Sequence, residues 1–338
     1  MRSEVTREQF ENFHVYEAGM KKVLIGFIFV LSGAAGIFAQ PATALTDKDF
    51  IRVDAKAGKG FTYPYYLYVP PEVRGDRAST HTILVLPNNT GQLDDDFAVH
   101  ESDVKKRMAM VGAIASILKT AVLMPVFPRP KSDWKIYTHA LDRDTMLTEK
   151  KEYRRIDLQL IAMIDYAMER LAKDGLRFDR KVLINGFSAQ GMFANRFTFL
   201  HPDRVKAAAI GSPGGWPMAP VDKYQGKNLR YPIGTADFKR VSGGRLDLKE
   251  LRKVPLFVFV GDQDDNDSVP FDDSYDQEDR DLIFPLFGKT PVSRWSISEQ
   301  LYRRSGLNAE FKLYPGVKHT VSPQMRDDIR AFLLKYAH

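Results

Sequence analysis

The strongest constraint on this chain is a set of short segments that are apolar at every position. Val254 to Val260 reads Val-Pro-Leu-Phe-Val-Phe-Val, and Thr82 to Leu86 reads Thr-Ile-Leu-Val-Leu. Ala121 to Val126 and Val182 to Ile184 are of the same kind. A strand with one wet face alternates apolar and polar residues, whereas a continuous apolar strand is covered on both faces. Between these segments lie helical patterns. Tyr153 to Ala172 carries Ile156, Leu158, Leu160, Ile161, Ile164, Ala167 and Leu171, most of them at helical spacing. Ala189 to Leu200 reads as a helix stopped by His201-Pro202, Ser293 to Ser305 as another, and Pro323 to Tyr336 as the closing one. Tyr63 to Val69, Ala207 to Ile210 and Ala309 to Tyr314 read as further strands. Strands and helices in alternation predict an α/β fold with a doubly wound, mostly parallel sheet.

Two stretches break the alternation. Residues 212–252 are rich in Gly, Pro, Trp and Tyr, and residues 267–291 are acidic and aromatic. Both follow strands, so both are expected over the carboxyl edge of the sheet, where open α/β sheets bind ligands. They read as cap-like insertions that shape a cleft. Residues 45–338 are expected to form a single domain.

The composition suits a globular chain: 44% of the 338 residues are hydrophobic and 27% charged. The net charge of +6 comes from basic residues scattered among acids. No basic stripe with interleaved aromatics is present, which argues against a nucleic-acid partner. The absence of cysteine excludes disulfides, thiolate metal sites and a cysteine nucleophile.

The N-terminal residues predict export. Lys21 and Lys22 precede the apolar run Val23 to Val30, and small residues follow, as in a secretory signal peptide. Residues 1–39 are read as an N-terminal extension and signal, with cleavage after Ala39 or Ala44. The polar stretch Met1 to Gly19 is unusual there and points to Met20 as an alternative start. The run is short for a stable membrane span, so the expected location is secreted or periplasmic.

The chemistry concentrates at Gly186-Phe-Ser188-Ala-Gln190-Gly191, where a buried strand turns into a helix. Such a turn lifts a serine hydroxyl clear of the sheet, where a histidine from another loop can take its proton. The common pattern is G-x-S-x-G; here position 190 is Gln, and Gly comes at 191. An ordinary turn with Ser188 capping the helix is the alternative. Further along, acidic residues follow the strand ending at Val260, and His319 follows the strand ending at Tyr314. The chain order Ser, acid, His is that of an α/β-hydrolase triad.

The set Gly-Phe-Ser188-Ala-x-Gly, Gly261-x-x-Asp264 and Pro-Gly-x-x-His319 resembles the α/β-hydrolase superfamily over roughly residues 60–336. Its nearest branch looks like the secreted esterase and polyhydroxybutyrate-depolymerase-like group. The resemblance implies Ser188 as nucleophile and His319 as base. It favours Asp264 as acid, with Asp267 second. It also implies an oxyanion hole from the backbone N–H of Ala189 and of Asn89, with Thr90 the alternative to Asn89. No metal or organic cofactor is implied. Asp262, Asp264, Asn266 and Asp273 loosely follow a calcium loop, but Asp267 stands where that loop needs Gly. Trp134, His139 and Trp216 are candidates for substrate contact, with loop packing as the equal alternative. The expected activity is hydrolysis of a small or polymeric carboxylic ester. A peptidase of the same fold, or a binding protein that has lost catalysis, are the alternatives.

Overall fold

The uninterrupted apolar segments form the middle of an eight-stranded sheet. The structure is a computed structural model, and it describes residues 44–88 and 92–338. The predicted signal with its cleavage points up to residue 39, and Asn89 and Thr90, lie outside the described residues. In chain order the sheet strands are β1 (Ile51–Val53), β2 (Tyr65–Tyr68), β3 (Ile83–Val85), β4 (Ala121–Pro125), β5 (Val182–Phe187), β6 (Val205–Gly211), β7 (Leu256–Gly261) and β8 (Ala309–Tyr314). Their spatial order is β1-β2-β4-β3-β5-β6-β7-β8. The six strands from β4 to β8 pair in parallel, and β1 and β2 add an antiparallel edge.

Helices cover both faces, which is why the strands need no polar side. The principal helices are α1 (Phe97–Met108), α2 (Gly112–Leu118), α3 (Ile156–Lys173), α4 (Ala189–Leu200), α5 (Gln277–Phe287), α6 (Pro291–Arg304) and α7 (Pro323–Leu334). Leu256 and Val258 of β7 join a core with Ile164 of α3, Phe197 of α4 and Tyr302 of α6. Phe257 and Phe259, between them in sequence, face Val104 of α1, Leu118 of α2 and Phe332 of α7. Successive side chains of one strand thus enter opposite cores.

Two predicted helix starts move. The helix expected from Tyr153 starts at Ile156, after Arg155 in the left-handed region at φ 51°. The helix expected from Ser293 starts at Pro291, because Thr290 caps it by accepting the Ser293 N–H at 3.2 Å. Proline suits that first position, where no intrahelical N–H bond is lost. The stretches 212–252 and 267–291 pack on each other. Trp216 stacks on Phe287 at 4.0 Å, within a third core that includes Ala189 and Met192 of α4.

The connections place the reactive edge. From β3 the chain runs outward to β4, then returns past β3 to β5. The carboxyl ends of β3 and β5 therefore flank the point where winding reverses, the place where open α/β sheets bind ligands.

Candidate active site

Ser188 stands between β5 and α4 in a strained backbone conformation, φ 61° and ψ −128°. A non-glycine residue in this region costs about 1–3 kcal/mol, and the surroundings must enforce it. Two backbone bonds do so. Ser188 N–H donates to the Gly211 carbonyl of β6 at 3.0 Å, and Met192 N–H donates to the Ser188 carbonyl at 2.9 Å. Two glycines make the turn sterically possible. A Cβ on Gly186 would lie 2.2 Å from the Gln190 carbonyl oxygen, and one on Gly191 would lie 2.2 Å from the Gly211 carbonyl oxygen.

The departure from the common pattern is thereby explained. The position that must be small, where the helix meets β6, is 191 rather than 190. The Gln190 side chain finds room of its own, and its Nε2 donates to the Pro87 carbonyl in the loop after β3.

The loops after β7 and β8 meet beside this turn. His319 Nδ1 lies 3.0 Å from both carboxylate oxygens of Asp264. With Nδ1–H donated to the carboxylate, the neutral ring presents Nε2 as its basic nitrogen. The Asp264 side chain is 1% exposed, and its Oδ1 also accepts the Asn266 N–H at 3.0 Å. The His319 ring packs against Phe187, the residue before Ser188, with centroids 4.8 Å apart.

Asp267 has a different partner. Arg294, fully buried on α6, grips its two oxygens at 2.9 and 2.7 Å. The same guanidinium donates to the carbonyls of Gly215 and Gly288, tying both insertions to the acid loop. The residues of the loose calcium pattern also point to separate partners. Asp262 accepts the Gly316 N–H at 2.7 Å, and Asp273 accepts Arg129 at 2.6 Å. Among the described residues, no group of His, Cys, Asp and Glu side chains is arranged to hold a metal ion.

Ala189 is the first residue of α4. Its N–H therefore belongs to the helix's first turn, whose donors have no partner within the helix. Asn88, next to the undescribed Asn89, is buried and donates to the Phe127 carbonyl at 3.1 Å.

The three candidate contact residues divide. Trp216 is buried, and its Nε1–H donates to the Ile233 carbonyl at 2.9 Å, so it holds the insertion together. His139 is buried as well, with Nε2 2.7 Å from the Phe127 carbonyl. Burial pushes its imidazole down to about 3, against the opposing pull of that carbonyl. Such a ring stays neutral and is too weak a base for proton transfer near neutral pH. Trp134 is half-buried and carries Lys135 over its ring at 5.6 Å. Gln190 and Arg294 were not singled out for these roles by sequence. A lone Arg in an amphipathic helix carries no signal until its carboxylate partner is known.

No family model matches this chain, and no curated protein does either. Solved structures do. A poly(aspartic acid) hydrolase from Sphingomonas sp. KT-1 superposes with a TM-score of 0.51 at 18% identity, over 80% of this chain and 93% of that one. A poly(3-hydroxybutyrate) depolymerase from Bordetella parapertussis gives 0.51 at 17% identity, over 80% of this chain and 84% of that one. With the strand order above, they establish the fold: this is an α/β-hydrolase fold, as the sequence motifs imply.

Proposed function

We propose that the chain is a serine hydrolase that cleaves carboxylic esters, with Ser188 as nucleophile, His319 as base and Asp264 as the acid that orients it. The observation that carries this reading is the 3.0 Å pairing of His319 Nδ1 with Asp264, beside the residue that precedes the strained Ser188. His319 Nε2 takes the Ser188 hydroxyl proton as Oγ attacks the ester carbonyl. The Ala189 N–H stabilises the oxyanion, together with a second donor from the loop at Asn89. Collapse of the tetrahedral intermediate returns the proton to the leaving alcohol. Water, activated by His319, then releases the acid from Ser188. Asp264 keeps the imidazole in the tautomer this requires.

The two neighbours' names describe action on a polyester and on poly(aspartic acid), which supports a polymeric substrate for this chain too. The second name keeps amide cleavage as a second reading. Export rests on residues 21–39. Among the described residues, no helix is long and apolar enough to cross a membrane.

The test compares short p-nitrophenyl esters, feruloyl esters and polyester films with p-nitroanilides of matching acyl groups. Turnover of at least one ester class in preference to its amide is expected. Absence of ester turnover by folded protein, or faster cleavage of the amides, contradicts the reading.

A further inference from the structure

Ser212 is a buried residue for which the mechanism above has no use. It directly follows Gly211, whose carbonyl accepts the Ser188 N–H, and its own N–H donates to the Phe259 carbonyl of β7 at 2.8 Å. The residue is 4% exposed and adopts φ 41°, a left-handed conformation that favours glycine. Glycines occupy positions 214 and 215 just beyond it. Position 212 nevertheless carries a side chain, and its Oγ is buried with no hydrogen-bonding partner among the described residues.

Ser212 lines a hollow shared with Gly215, Val260, Asp264, Asn266 and Trp295. The hollow has room for about one water molecule. The lining is mainly apolar, and Ser212, Asp264, Asn266 and Ser298 are its polar residues; a buried water requires two to four such partners. Asp264 also has capacity left. A carboxylate offers about four acceptor positions, and the bonds to this one come from Asn266 N–H and His319 Nδ1. The nearby Arg294 is engaged elsewhere, with Asp267.

We propose that Ser212 is a positioning residue for the triad: its hydroxyl, through one water bound in this hollow, donates to the Asp264 carboxylate and fixes it behind His319. The proposal rests on the assignment of Ser188, His319 and Asp264 as the triad. It gives the buried hydroxyl a partner and gives the acid a third donor that is independent of the histidine.

Ser212→Ala and Ser212→Gly both remove the hydroxyl, and the glycine also suits the backbone at this position. The measurement is kcat and KM on a p-nitrophenyl ester, with thermal unfolding alongside. Both variants are expected to lose about tenfold in kcat, the worth of one hydrogen bond. KM should change less than about twofold, because the bond acts on the transition state. Ser212→Cys, which keeps a small donor, should recover part of the loss. A high-resolution crystal structure of the wild type should show a water within hydrogen-bond reach of Ser212 Oγ and Asp264. Unchanged kcat in both hydroxyl-free variants, a loss that tracks unfolding alone, or a dry hollow would overturn the proposal. If wild type turns over esters and the variants match it, this inference alone fails. If wild type turns over nothing, the functional reading fails and this proposal with it.

Discussion

Asp264 and Asp267 are the same residue type on one loop, yet their surroundings differ. One lies against His319 and the other in the fork of Arg294. Sequence spacing favoured Asp264 but left Asp267 open, because a run of aspartates after a strand does not reveal which carboxylate faces a histidine 55 positions further on. The contrast makes a prediction. Asp264→Asn leaves the side-chain shape but lets the imidazole adopt the wrong tautomer, so kcat should fall by about 10⁴-fold with the fold intact. Asp267→Asn should retain most of the activity. It leaves the buried Arg294 without its counter-charge, and should therefore lower the unfolding free energy by about 3 kcal/mol. Steady-state kinetics and urea unfolding of both variants check the pair. A large kcat loss in Asp267→Asn with little in Asp264→Asn would exchange their roles. Gln190 shows the reverse limit on reading residues from sequence. It stood in the linear pattern only as a departure from G-x-S-x-G, because its side-chain partner, the Pro87 carbonyl, lies 103 positions away.

Helices were legible where they bury a wide apolar face, as α3 does through Ile156, Leu160, Met163, Ile164, Ala167 and Leu171. The helix α1 escaped notice because it buries only His100, Val104 and Met108, a thin stripe on an otherwise charged segment. Strand β1 has three residues, too few to display a period. The contact between α3 and the end of α4 carries a pH response. Asp157 on α3 is fully buried, and His201 Nε2 lies 2.8 Å from it. Burial alone would raise the Asp157 carboxyl, but the bonds from His201 and Arg155 outweigh it and hold the group down at about 2. The folded value lies below the ordinary 3.8. This pairing therefore stabilises the fold in full above about pH 4 and is lost as pH falls towards 2, a swing of about 2 kcal/mol. His139 acts in the same direction at higher pH. Its folded value of about 3 lies below the ordinary 6.5, so its contribution is present above about pH 6.5 and declines as acid is added. Between pH 7 and pH 4 this loss is opposed by Asp142, whose buried carboxyl is pushed up to about 7 and so gains stability as acid is added. Below pH 4 the unfolding free energy should fall, and Asp157→Asn should flatten that fall. A fall below pH 4 that is as steep in Asp157→Asn as in the wild type would contradict the Asp157 assignment.

At the scale of the whole molecule, double coverage wrote the sheet into the sequence. Leu256 and Val258 face one core while Phe257 and Phe259 face the other, so the strand had to be apolar throughout. The insertions were visible as interruptions of that rhythm, but their mutual packing was not. Trp216 and Phe287 come from separate insertions, and neither segment shows by itself that it closes on the other. Trp216, which read equally as a substrate contact or as loop packing, is buried in the packing above α4. The site divides along the same line. The serine turn and the histidine loop follow strands and were readable from their ends. The roles of Arg294 and Ser212 depend on segments brought together only by folding.

The central claim is that Ser188 is a nucleophile activated by His319. The most direct measurement is covalent labelling of the intact protein with a fluorophosphonate, followed by mass-spectrometric mapping of the modified residue. The account predicts one label per chain, on Ser188, lost in both Ser188→Ala and His319→Ala. A folded wild-type protein that takes no label, or a label that persists in Ser188→Ala, would contradict it.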